Sequence, residues 1–380
     1  MTVRPDDTRL DDLDGLQRDD PSAMLRQVAG AGAQVREAAS AAHEAGLARL
    51  AQDGRPRSVV VAGVGGSGIS GDVLAAVAGA ACPVPIVVHK GYGLPRWVGA
   101  ADVVIGVSSS GTTEETLSAV EQAVSRGCSI LGVGAADSPL AELVGRAHGP
   151  YVPVPSGRMP RVNLWALSVP LLLAGQALDL LSLGRSDVAA AADRLDETAE
   201  RCRPNSESFL NPAKQLAMEL AGTVPMVWGT SPVAGVAAQR MVCQLAENAK
   251  YPGIAGVLPE ANHNQVVTFD GRFGALAGGA PEEFFRDRSD EPTAVRLRLV
   301  VLRDSEEHPQ VVRRREASRE LAHARGIAVT ELVAEGDSAL ERLAALVGLP
   351  DFATVYLALL CGLDPTPIDA ISDLKARIGR

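Results

Sequence analysis

Six consecutive residues, Ser108-Ser109-Ser110-Gly111-Thr112-Thr113, place five hydroxyls and a glycine between an apolar run (102–107) and a segment of helical composition (114–126). Hydroxyls donate to phosphate oxygens, and the free amides and dipole of a helix N-terminus favour negative charge. The pattern predicts a cradle for a phosphate that needs no metal. Thr112, with Glu115 three residues on, also makes a capping box. Capping accounts for one hydroxyl but not for three serines in a row. A second loop, Gly63-Val64-Gly65-Gly66-Ser67-Gly68, follows the apolar run 58–62. It satisfies GxGxxG, the dinucleotide fingerprint, which also wants an acid at the end of the next strand to bind the ribose. That strand ends Val87-Val88-His89-Lys90, with no acid. Two readings remain: backbone amides brought close to an anion, or simply a tight strand–helix turn.

Four further residues could move protons or hold charge. Glu247 falls near the end of a helix predicted over 233–250, where a carboxylate partly withdrawn from water could serve as a base. His263 lies between Asn262 and Asn264, amides that could orient an imidazole. Glu260 is a competing acid nearby. Arg161 precedes the uncharged stretch 162–178, and an Arg entering such surroundings needs an anionic partner. Arg158 is its rival. Lys375 lies in the last predicted helix, where a cation is also favoured by the dipole alone.

These pieces are similar, in order and context, to the SIS (sugar isomerase) family, and within it to the bifunctional phosphoglucose/phosphomannose isomerases. Gly65-Gly66-Ser67-Gly68-Ile69-Ser70-Gly71-Asp72 resembles the first family motif, and Ser108-x-Ser110-Gly-x-Thr113-Glu-Glu-Thr116 the second. Pro160-Arg161, Glu247-Asn248-Ala249-Lys250, Asn262-His263-Asn264, Asp364-Pro-Thr-Pro-Ile368 and Lys375 continue it over roughly residues 20–380. The resemblance implies two SIS halves in one subunit and an aldose–ketose isomerisation through a cis-enediol, linking glucose 6-phosphate or mannose 6-phosphate with fructose 6-phosphate. It implies that Gly66, Ser67, Ser108, Ser110 and Thr113 hold the phosphate. Arg161 would sit by the enediolate, Glu247 would be the base at C1 and C2, His263 would act at ring opening, and Lys375 would lie beside the sugar. It also implies a homodimer with the active site at its interface. SIS domains in regulators sense phosphosugars without turnover, and that is the alternative reading. The chain departs from the pattern where the family often shows Ser-Tyr-Ser-Gly-Asn-Thr: Ser109 and Thr112 replace Tyr and Asn.

The elements needed to position these residues are legible as alternating strands and helices. Apolar runs at 58–62, 83–88, 102–107, 129–133 and 151–154, interleaved with helical segments, predict a parallel sheet. After a turn-rich stretch at 204–212 the pattern restarts with strands at 224–228, 296–302 and 327–333. Helices are expected at 310–325, at 338–347 with Gly348 as the stop, and at 351–361 and 366–378. The fold class is therefore α/β, two parallel-sheet, flavodoxin-like units with flanking helices. Expected segments are a helical lead-in over 1–52, a first domain over 53–200 and a second over 201–380. Residues 278–295, of mixed charge, read as a surface excursion.

Composition narrows the partners. The 380 residues carry 36 Lys and Arg against 46 Asp and Glu, a net charge of −10, with only 3 % aromatics. That disfavours both broad phosphate-backbone binding and base stacking, so no nucleic-acid partner is expected. Five scattered cysteines and an acidic start read as a reduced, cytoplasmic protein. The stretch 162–178 contains Pro170 and reads as a buried helix, so no membrane partner is expected. No His, Cys or Glu cluster has ligand spacing, so neither metal nor cofactor is expected.

Overall fold

The computed structural model describes residues 7–52, 54–278 and 295–378. All but the ends of the expected 278–295 excursion lies outside the described residues. The chain forms two compact units. One, here the N-terminal unit, comprises 30–196 and 336–344. The other, the C-terminal unit, comprises 1–29, 197–335 and 345–380.

The N-terminal unit is built on five parallel strands, β1 Val59–Ala62, β2 Ile86–His89, β3 Val103–Ser108, β4 Ser129–Gly134 and β5 Tyr151–Pro153, in the order β2-β1-β3-β4-β5. β1 and β3 are buried throughout, as expected of central strands covered on both faces. On one face, Val60, Ala62 and Val104 join Ala119, Val120, Leu140 and Val144 in a single core with the helices Glu114–Ser125 and Pro139–Arg146. On the other face lies helix Gly66–Ala78. A Cβ at its Gly71 would come within 2.9 Å of Val61, so glycine sets how closely that helix approaches β1. Helix Gly66–Ala78 packs in turn on Leu164–Ala177, which is buried from Leu164 to Gly175 despite its internal Pro170. The uncharged stretch is thus a core helix.

The C-terminal unit carries four parallel strands, β6 Thr223–Gly229, β7 Ile254–Val257, β8 Arg296–Arg303 and β9 Ala328–Val333, in the order β7-β6-β8-β9. Helix Pro232–Ala249 runs over β6, β7 and β8. Trp228 and Phe269 stack at 5.7 Å in a core with Met226, Leu299 and Val301. Three elements depart from expectation. β7 was not predicted, because four weakly apolar residues beside Gly253 give no clear alternation. Pro212, the last residue of the stretch that reads as turn-rich, opens a helix, Pro212–Leu220; Asn211 accepts from the amides of Ala213 and Lys214, and proline is well tolerated in a first turn. Gly348 does not stop a helix: Ala339–Leu360 continues through it and through Pro350, with burial of an almost wholly apolar surface outweighing the lost propensity. That helix is long and apolar enough to cross a membrane, but 89 % of its apolar window is buried inside the protein.

Candidate active site

In both units the first strand of the sheet is central and the chain then builds outward in both directions. In such sheets a crevice opens beyond the carboxyl ends of the two strands where the direction reverses. In the N-terminal unit those strands are β1 and β3. The loops that follow them are the two singled out by sequence.

The first loop is shaped by its glycines. Gly65 has φ 58° and ψ −132°, a backbone closed to residues with a Cβ, and Gly66 begins the helix. A Cβ at Gly66 would meet nothing within 4 Å, so packing does not require glycine there. As the first residue of the helix, it carries an amide with no partner within that helix. Gly63 and Gly68 differ: added Cβ atoms would come within 3.1 Å of the Val107 carbonyl oxygen and 2.9 Å of the Gly63 carbonyl oxygen. Lys90, just past the end of β2, is held by Asp72 at 2.8 Å.

The second loop converges its hydroxyls. Ser108 is fully buried, and its Oγ lies 2.8 Å from Thr113 Oγ1 and 3.4 Å from Ser110 Oγ. Ser110 Oγ also accepts from the amide and the hydroxyl of Thr112, at 3.3 Å and 3.0 Å. Gly111, with φ 68°, turns the chain, and a Cβ there would strike Ser138 at 2.2 Å. Glycine is needed on β4 as well, since a Cβ at Gly134 would strike the Ser108 carbonyl oxygen at 2.1 Å. The N-cap of Glu114–Ser125 is Thr113, not Thr112, and its side chain makes no capping bond. Forgoing a cap costs about 1 kcal/mol; here the hydroxyl is turned into the loop instead. The two loops are joined by the amide of Ser109, which donates to Ser67 Oγ at 3.4 Å.

Arg161 lies on the short turn Pro160–Val162 in the same unit and is 4 % exposed. The next polar residue, Asn163, donates from Nδ2 to Ser109 Oγ at 3.1 Å. The turn is thereby tied to the second loop. The rival Arg158 is paired with Glu37 at 2.7 Å.

The remaining three candidates belong to the C-terminal unit, on three separate elements. Glu247 is half-buried in the last turn of Pro232–Ala249. Beside it Asn248 is fully buried and donates to Thr354 Oγ1 at 3.0 Å, and eight residues back Arg240 makes a buried bidentate pair with Asp351 at 2.6–3.1 Å. Lys250 closes the helix in the left-handed conformation, and its ammonium donates to the carbonyls of Glu247, Asn248, Asp364 and Pro365. The end of the helix that carries Glu247 is thus anchored on two sides. His263 is exposed on the turn Glu260–His263. Its flanking amides do not orient it: Asn262 donates to Ser318 Oγ at 2.7 Å and Asn264 to Glu260 Oε1 at 2.8 Å. Lys375 is on Asp369–Ile378, a helix with no buried residue. Among the described residues, no group of three or more His, Cys, Asp or Glu side chains is placed to hold a metal ion.

Comparison with known proteins agrees with this architecture. The bifunctional phosphoglucose/phosphomannose isomerase of Caldicellulosiruptor bescii is 30 % identical over 320 residues, which cover 84 % of this chain and 89 % of that protein. The chain belongs to the bifunctional phosphoglucose/phosphomannose isomerase family. The family member from Aquifex aeolicus is 29 % identical over 331 residues, covering 87 % of this chain and 93 % of that one. The family profile described as the bacterial phospho-glucose isomerase C-terminal SIS domain matches residues 209–378. The solved structure of a glucose-6-phosphate isomerase from Chlamydia trachomatis shares the fold, with a TM-score of 0.66 at 15 % identity over 99 % of this chain and 87 % of that one.

Two residues near the site escape sequence reading in this family member. Ser109 is legible only as a departure from the usual Tyr. Asn163 immediately precedes a helix and looks like a cap; its contact with Ser109 spans 54 positions.

Proposed function

We propose that the protein interconverts glucose 6-phosphate and mannose 6-phosphate with fructose 6-phosphate. The observation that carries this reading is the hydroxyl cluster of Ser108, Ser110 and Thr113 at the sheet's reversal point, with Gly66 opening the helix after the neighbouring strand. Together with Ser67 these groups suit a sugar phosphate, donating to its oxygens at two helix N-termini. The isomerase names of the relatives weigh for turnover and against a non-catalytic phosphosugar sensor.

In the reaction proposed, His263 assists ring opening and Lys375 lies beside the sugar. Glu247 takes the C2 proton of the open-chain aldose, and the electron pair left behind forms the C1–C2 double bond with negative charge on O1. Arg161 balances that charge, since a guanidinium beside a developing oxyanion stabilises it most where water is excluded. Glu247 returns the proton to C1 while the O2 hydroxyl proton passes to O1, leaving fructose 6-phosphate. Reprotonation of C2 from either face yields either aldose. No metal takes part, and activity is expected to survive exhaustive chelation.

The active form we propose is a cytoplasmic homodimer with the site at its interface. Two features support this. Ile371, Leu374 and Ile378 project from the exposed terminal helix that carries Lys375, and all five cysteines are free thiols. The deciding experiment is a pair of coupled assays with glucose 6-phosphate and mannose 6-phosphate. Turnover of both is expected. Tight binding of fructose 6-phosphate without isomerisation of either would establish a sensor instead.

A further inference from the structure

Asn163 occupies the N-cap of Leu164–Ala177, the position where an asparagine side chain normally accepts a bond from the first turn. It makes no capping bond, is 2 % exposed, and its Oδ1 has no hydrogen-bond partner. Its Nδ2 is committed instead to Ser109 Oγ at 3.1 Å. Ser109 has a contact on each side: its amide donates to Ser67 Oγ in the first loop, while its hydroxyl receives Asn163. Asn163 follows Arg161 by two residues, and its own amide donates to the Pro160 carbonyl at 3.1 Å, which fixes the turn. A polar side chain buried this deeply, diverted from its helix and left with an unpaired oxygen, is a local sacrifice. Such sacrifices tend to mark function.

We infer that Ser109 and Asn163 form a positioning pair, which couples the loops that hold the phosphate to the turn that holds Arg161. With the phosphate seated, the Ser109 hydroxyl fixes Asn163, and Asn163 fixes where the Arg161 guanidinium stands relative to the reacting carbons. Neither residue touches the reacting atoms. The inference rests on the isomerase reading. It also accounts for the serine at 109: a tyrosine hydroxyl lies too far from its own backbone to make the same short bridge.

The test is a cycle of Ser109→Ala, Asn163→Ala and the double variant in the full-length protein. It is read by kcat and KM for fructose 6-phosphate, by affinity for inorganic phosphate and by thermal melting. Wild-type turnover is established first; if there is none, the isomerase reading has failed rather than the pair. Given turnover, Ser109→Ala is expected to lower kcat about tenfold with phosphate affinity kept, because small misplacements of a charge-stabilising group are felt mainly in the transition state. The double variant should lose no more than the worse single one, and Ser109→Thr, which keeps the hydroxyl, should recover the greater part of the loss. If Asn163→Ala fails to fold, the contrast between Ser109→Ala and Ser109→Thr decides alone. Losses that multiply in the double variant, an unchanged kcat in Ser109→Ala, or a loss confined to phosphate affinity would each overturn the pairing.

Discussion

The two units follow one plan and end their central strands in opposite ways. Where β1 and β3 finish in the N-terminal unit, the second loop gathers its hydroxyls on one another, buried at Ser108 and exposed at Ser110. Where β6 and β8 finish in the C-terminal unit, the corresponding crevice is filled from within. Asp304, 4 % exposed, follows β8; its carboxylate accepts from Ser231 Oγ at 2.6 Å, and its amide donates to Thr230 Oγ1 at 2.9 Å. Ser231 also caps helix Pro232–Ala249 by accepting from Ala234. An internal carboxylate thus takes the place at the second helix N-terminus that a phosphate would take at the first. The same strand order thus ends in two different sets of side chains, and on the proposed reading these decide which end can take an anion. The second unit instead offers Glu247 at the other end of that helix, anchored by Lys250 and Asn248. Under the proposed function the lesson is a division of labour between two units of one plan: one would hold the phosphate and the other would supply the base.

Predictions that break or sharpen this contrast can be ranked by size. Glu247→Gln removes the proposed base and keeps the shape. We expect kcat to fall about a thousandfold while fructose 6-phosphate binding, followed by calorimetry, stays within a few-fold of wild type. Ser110→Asp imports into the open crevice the charge that Asp304 brings to the closed one. Inorganic phosphate affinity should fall about a hundredfold or more, with little change in melting temperature, because Ser110 is exposed and the repulsion acts on the ligand. Asp304→Ala should do the reverse. It leaves the Ser231 hydroxyl without its carboxylate and costs about 1–3 kcal/mol in urea unfolding, while phosphate affinity is kept.

The smallest effect is electrostatic. Asp102 anchors the start of β3. Burial pushes its carboxyl up, but bonds from Arg57, the Gly99 amide and Ser58 prevail and hold it below the ordinary value of 3.8. A carboxylate depressed in the folded state stabilises fully above its unfolded pKa, and loses that contribution as pH falls through the folded value. The stability gap between wild type and Asp102→Asn should therefore be flat from about pH 7 to about pH 5, then narrow below 3.8 in urea melts.

The sequence discloses the hydroxyl loop because its signal is local. Three serines, a glycine and two threonines after a buried strand need no distant partner to be read. The alternation that placed β1, β3 and β8 is local in the same way. What stayed hidden depends on separation. Ser109 meets Asn163 across 54 positions, and Ser231 meets Asp304 across 73. The orientation expected for His263 was wrong for a related reason: its neighbours Asn262 and Asn264 had better partners in Ser318 and Glu260. Pro212 and Gly348 misled because local propensity reads proline and glycine as breaks. Proline is tolerated in a first turn, and in a mostly buried helix tertiary packing overrules propensity.

The most direct test of the central claim, proton transfer on a phosphate-anchored sugar, is incubation of wild-type protein with fructose 6-phosphate in deuterated water, followed by NMR. We predict deuterium at C1 of the fructose 6-phosphate pool and at C2 of both glucose 6-phosphate and mannose 6-phosphate. Aldose products that form without any solvent deuterium, or a bound ketose that neither exchanges nor isomerises, would contradict it.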